Sequence, residues 1–190
     1  RAFEGEALLT ECAALSLVDA RLGGTLDLTG LATRDLDLTA VAVQGSLRAT
    51  APTLLDDALA QHARFGRVGA SGARIGGDLV LARVQVDGDL TLARCDVDGD
   101  LSLQRAIVEG ELSLLRATVR GWIGLEGARI AGDCSLHFAS LPGFVTSLSR
   151  HRLTVGGDLG FSGATLGFVE LRAVEVRGRV YAANAAVTSL

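Results

Sequence analysis

Residues 77–120 read GDLVLARVQVD, GDLTLARCDVD, GDLSLQRAIVE and GELSLLRATVR, four consecutive units of equal length. Each opens on Gly, at 77, 88, 99 and 110, which gives a period of 11. The pattern is G-D-L-x-L-x-x-A-x-V-x, with apolar side chains at positions 3, 5, 8 and 10. Within each pair the apolar spacing is two, the signature of a strand with one buried face. Between pairs it is three or four, the signature of a corner. Position 4 is small or polar (Asp27, Asp37, Thr91, Ser102, Ser113, Ser135), so inside and outside alternate. The repeat continues through Gly121 and Gly132, runs back to Gly66, and resumes past a three-residue insertion near Ser149 at Gly157, Gly167 and Gly178. Weaker units start at Ala13, Gly24, Arg34 and Gly45, and in all units position 3 is apolar, from Leu15 to Val180.

A period of 11 can also mark a right-handed coiled coil. Here Gly recurs once per unit beside β-branched residues, and each Gly inside a helix costs about 1 kcal/mol relative to Ala. At a β-corner Gly costs little, because corners often need positive φ. The reading is an all-β, right-handed parallel β-solenoid. One unit per coil leaves almost no interior, and three make a wide coil. Two units, 22 residues in four short sides, suit the small residues at position 8 (Ala106, Ala117, Ala128, Ala139). Some 7.5 coils at about 4.8 Å each predict a rod roughly 36 Å long.

These units resemble the pentapeptide-repeat solenoids, whose square right-handed coils carry a central Leu. They resemble more closely bacterial proteins built of GDLxLxxAxx units, some of which bear the label membrane-associated oxidoreductase. The resemblance covers residues 13–188 and is densest over 66–131. It departs from true pentapeptide repeats in its period, 11 in place of 5. The chain has no G-x-G-x-x-G opening a helix after a strand and no haem-type C-x-x-C-H, so nothing in its residues corresponds to the redox label. The resemblance also implies an alternative function, imitation of duplex DNA to protect a topoisomerase.

Two segments break the repeat. Residues 52–65 read as a short helix looped out of a corner, with Thr53 as N-cap and Asp56 completing a weak capping box. Residues 143–156 read as a loop insertion holding Arg150, His151 and Arg152, a basic cluster on an acidic chain and a candidate contact. Residues 1–12 read as an N-terminal cap, and 13–190 as a single solenoid domain. The chain begins with Arg, so its native N-terminus is expected to lie elsewhere.

The chain has 190 residues, 48% of them hydrophobic and 4% aromatic, and a net charge of −4. Its 18 basic residues are all Arg. The acidic balance argues against a sequence-independent nucleic-acid binder. No apolar run approaches the roughly 18 residues of a membrane-spanning helix. With no leader visible, the expectation is a bacterial cytoplasmic protein. Cys12, Cys95 and Cys134 have no metal or redox spacing and are read as reduced core thiols, Cys95 and Cys134 at inward positions. The histidines are scattered. The Asp-Gly-Asp steps at 87–89 and 98–100 lack the pattern of calcium solenoids. Arg83, Arg94, Arg105 and Arg116 at position 7 run beside acids at positions 2 and 11, and read as self-neutralising corner ladders.

No catalytic residue, cofactor, metal or small-molecule substrate is expected. The expected role is a structural or protein-interaction module. Trp122, the only Trp, takes the outward position 2 and is a candidate hot spot, unless the loop after Phe138 covers it. Val180 belongs to a final coil with no capping segment after it, which predicts pairing with a second copy, as a dimer or a filament.

Overall fold

The computed structural model describes residues 12–29, 33–49, 63–145, 151–170 and 173–189. Within them every element is a β-strand, most of only two or three residues, and every pairing is parallel. The strands form four columns. Two long strands, Ala63–Gly69 and Ser140–Val145, each run through a corner and pair with two neighbours at once. They join the columns into two thirteen-stranded sheets.

The register fixes the coil. Leu90 pairs with Leu112, and Asp96 with Thr118, so one turn of the coil is two units of the repeat. One inward column runs Leu15, Leu36, Val68, Leu90, Leu112, Cys134, Leu159, Val180. Another runs Leu26, Leu47, Leu79, Leu101, Ile123, and its ladder continues to Val169. About seven turns at roughly 4.8 Å each give a rod near 34 Å long. Leu101, Leu112, Leu114 and Val119 are at most 1% exposed, so the interior of the middle coils is closed to water. Thr33 is the one buried polar side chain among the described residues, and its hydroxyl donates to the Asp35 carbonyl.

The insertions fall where the repeat breaks, with different contents. Leu36 pairs with Val68, so that coil is longer than a regular one by about ten residues. The expected helix at 52–65 falls mostly outside the described residues. Its last three positions are not helical: Ala63, Arg64 and Phe65 open a strand, because Phe65 is fully buried against the core and pairs beside Val86. Similarly, Ser140 pairs with Thr165, which makes that coil three residues longer than a regular one. Gly143–Val145 and Leu153–Val155 are strand, a correction to the loop expected over 143–156. Each continues the ladder of the coil before it, which confines the surplus to the residues between them. The N-terminal cap over 1–12 lies outside the described residues except for Cys12, which begins a strand.

The role expected of the recurrent Gly is also corrected. The positive φ angles fall at position 7, in all twelve units whose seventh residue is described: Asp19, Ala40, Gly72, Arg83, Arg94, Arg105, Arg116, Gly127, Phe138, Gly163, Ala173 and Asn184. There the N–H of position 8 closes a turn onto the carbonyl of position 5, as in Ala106 to Leu103 at 3.1 Å. The corner is thus set by the turn and the ladder, whatever residue occupies it. The Gly at position 1 answers a different demand. Asp78 Oδ1 accepts the N–H of Asp100 in the next coil at 3.0 Å, and Asp89 Oδ1 accepts that of Glu111 at 2.8 Å. Asp100, Asp133 and Asp158 do the same for Trp122, Asp158 and Arg179. The bonded carboxylate lies where a Cβ on the next coil's first residue would stand, at Gly99, Gly110, Gly121, Gly157 and Gly178. G-D is therefore a motif between coils: the Asp of one coil requires the Gly of the next.

Candidate functional site

On one face the outward position 2 column runs Asp78, Asp100, Trp122, Gly143, Phe168. Trp122 sits on the strand Trp122–Gly124, and its N–H donates to Asp100 Oδ1 at 2.8 Å. Its indole lies across Gly143, where any side chain would collide with the ring. Phe168 meets it edge-on, with ring centroids 5.8 Å apart and planes at 68°. Trp122 nevertheless remains 51% exposed. The segment after Phe138 therefore runs beneath the indole and leaves it open to solvent.

Beside this pair, Gly124 follows Ser102 in the next column and contributes no side chain. The gap is a cleft of about 420 Å³, walled by Trp122 and Phe168 and rimmed by Gln104, Glu126, Glu170 and Asp100. Phe168, Gln104, Glu126 and Glu170 were not singled out in the sequence. The signal for Phe168 was present: in G-F-V-E at 167–170 it holds the same unit position as Trp122 in G-W-I-G at 121–124.

The basic cluster does not stand out from the surface as a free patch. Arg150 lies outside the described residues. His151 Nδ1 is 3.3 Å from Glu126 Oε1, and His151 Nε2 is 3.3 Å from an Arg105 guanidinium nitrogen. His151 thus bridges Arg105 of one coil and Glu126 of the next. Arg152 donates to Glu175 at 2.7 Å and, with Arg177, holds that carboxyl below its usual range. Loop cations and coil acids are engaged with one another across adjacent turns.

The corner arginines occupy two columns, since successive units lie on different sides of the coil. Arg83 and Arg105 share one, Arg94 and Arg116 the other, and Arg116 stacks over the Phe138 ring at 5.8 Å. Elsewhere Arg64 pairs with Asp87, Arg67 with Asp35, and Arg120 with both Asp96 and Asp98. The Asp96 bond is the main cause of an upward shift at Arg120. The position 2 acids Asp78, Asp89 and Asp100 also accept backbone amides of the next coil.

Cys95 and Cys134 are buried in the core, as the inward positions predict. Burial pushes each thiol up to about 12, which leaves no thiolate to act as nucleophile at neutral pH. The Cys95 thiol donates to the Ala70 carbonyl at 2.8 Å. Among the described residues no cluster of three or more His, Cys, Asp or Glu could hold a metal ion, and no helix is long and apolar enough to cross a membrane. Val180 occupies the inward column of the last described coil and is 58% exposed, with Val187 at 44%. No protein family, curated protein or solved structure matches the chain.

Proposed function

We propose that the chain is a non-catalytic β-solenoid scaffold and protein-interaction module that self-associates through its last described coil. The observation that carries this reading is the use made of the repeat's commonest reactive group. The carboxylates of Asp78, Asp89, Asp100, Asp133 and Asp158 all bond an amide of the next coil, so they hold the rod together and do not converge on a substrate. A DNA-mimicking role needs a surface of one sign. The arginines that interleave with acids on these faces, Arg67, Arg120 and Arg152, favour the scaffold instead.

Self-association is supported by the edge at Val174–Val176, Val180–Tyr181 and Ala186–Ser189, each paired with one neighbour among the described residues. A further coil from a second copy would continue the ladder there and cover Val180, Tyr181 and Val187. Light scattering over a concentration series tests this. The expected result is association that Val180→Arg abolishes. A strict monomer, unchanged by Val180→Arg, would remove self-association and assign that edge to other coils or other proteins.

A further inference from the structure

We propose that the cleft beside Trp122 binds an arginine side chain presented by a partner protein. The cleft is on the flank of the rod, with its Phe168 wall one strand in from the terminal edge. At about 420 Å³ it lies in the lower range of sites for organic ligands. Its rim carries the carboxylates of Asp100, Glu126 and Glu170 and the amide of Gln104, and its described lining contains no basic side chain. Next to it, His151 contacts Glu126, and Arg105 contacts His151. Glu126 and Glu170 have contacts of their own, so an arriving cation would join a hydrogen-bonded network. A half-exposed indole rimmed by three carboxylates matches a planar cation. A guanidinium stacks on an aromatic face and forks its N–H groups to carboxylates in one plane, which a Lys ammonium cannot do. The missing side chain at Gly124 leaves room for the aliphatic stem of the Arg, and the Phe168 edge fixes the indole that it would stack on. The net charge of −4 favours approach of a basic segment.

Trp122 is the only Trp in the chain, so intrinsic fluorescence reads the cleft directly. The protein is titrated with a blocked tripeptide, acetyl-Gly-Arg-Gly-amide, and with the same peptide carrying citrulline, which keeps the shape and loses the charge. The expected result is a saturable change in Trp122 emission with the arginine peptide, with the citrulline peptide about fivefold weaker or more, in line with a partly exposed ion pair. Glu170→Gln should weaken the arginine peptide by a similar factor with the melting temperature unchanged. Ser113→Asp adds a carboxylate outside the cleft and should leave binding unaltered. Equal responses to the two peptides, no response to either, or indifference to Glu170→Gln would overturn the proposal. So would an emission change driven by protein concentration alone, which would make a second copy the occupant.

Discussion

Gly157 has ordinary φ, yet a Cβ there would overlap the Asp133 carboxylate and crowd the backbone of Gly132 and Asp133 at 2.9 Å. That carboxylate is held in place by the bond it accepts from the Asp158 N–H at 2.7 Å. Gly157→Ala is therefore an overpacking change and should destabilise by about 1–3 kcal/mol. In an Asp133→Ala background the largest clash is gone, and the same substitution should cost less, with a coupling energy near 1 kcal/mol in a double-mutant cycle. Strict additivity in chemical denaturation would show that the Gly and the Asp of successive coils are independent. The sequence displayed the G-D pair plainly but not its direction. Read along the chain, Gly precedes Asp and suggests a turn. Read across coils, the Asp comes first and the Gly makes way for it. The real left-handed position was hidden because Arg, Phe, Asn, Asp and Ala all occupy it.

At the scale of the strand, two residues decide each side of the coil. Leu112 and Ser113 form one such strand, with Leu112 1% exposed between Leu90 and Cys134, and Ser113 outward between Thr91 and Ser135. Leu112→Asp buries an unpaired charge inside a ladder that cannot open to water, at a cost on the order of 3–5 kcal/mol. Ser113→Asp should stay within about 0.5 kcal/mol of the parent. Equal shifts of the melting temperature would invert the assignment of inside and outside. This alternation was legible because the period of two inside each pair admits only one inward face. The long strands were not. Ala63–Gly69 and Ser140–Val145 follow segments that break the repeat, and their pairing depends on how many residues each break inserts. The cleft was hidden for the same reason. Trp122 reaches Phe168 by way of Gly143, through one coil that falls a residue short of regular and one that exceeds it by three. No fixed period brings the two rings together.

Among the described residues the apolar interior of the middle coils holds two titratable thiols. Cys95 and Cys134 keep their protons in the folded chain until about pH 12, whereas an unfolded thiol titrates near its ordinary value of about 8.5. Above that lower value the unfolded chain holds fewer protons than the folded one, so unfolding releases protons and rising pH favours it. The contribution is absent below the ordinary thiol pKa and grows through the window up to the raised one, by as much as about 1.4 kcal/mol per pH unit for each thiol. Cys95 is the better one to remove, because the ladder sets it between Ala73 and Ala117 and Ala is already the residue of that column. Cys95→Ala should fold normally at neutral pH and lose stability less steeply in alkali, by about one thiol's share. Urea unfolding of the parent and the variant across the alkaline range measures both slopes. Parallel slopes would mean that Cys95 reaches water in the folded rod, and that the interior is not closed at that coil.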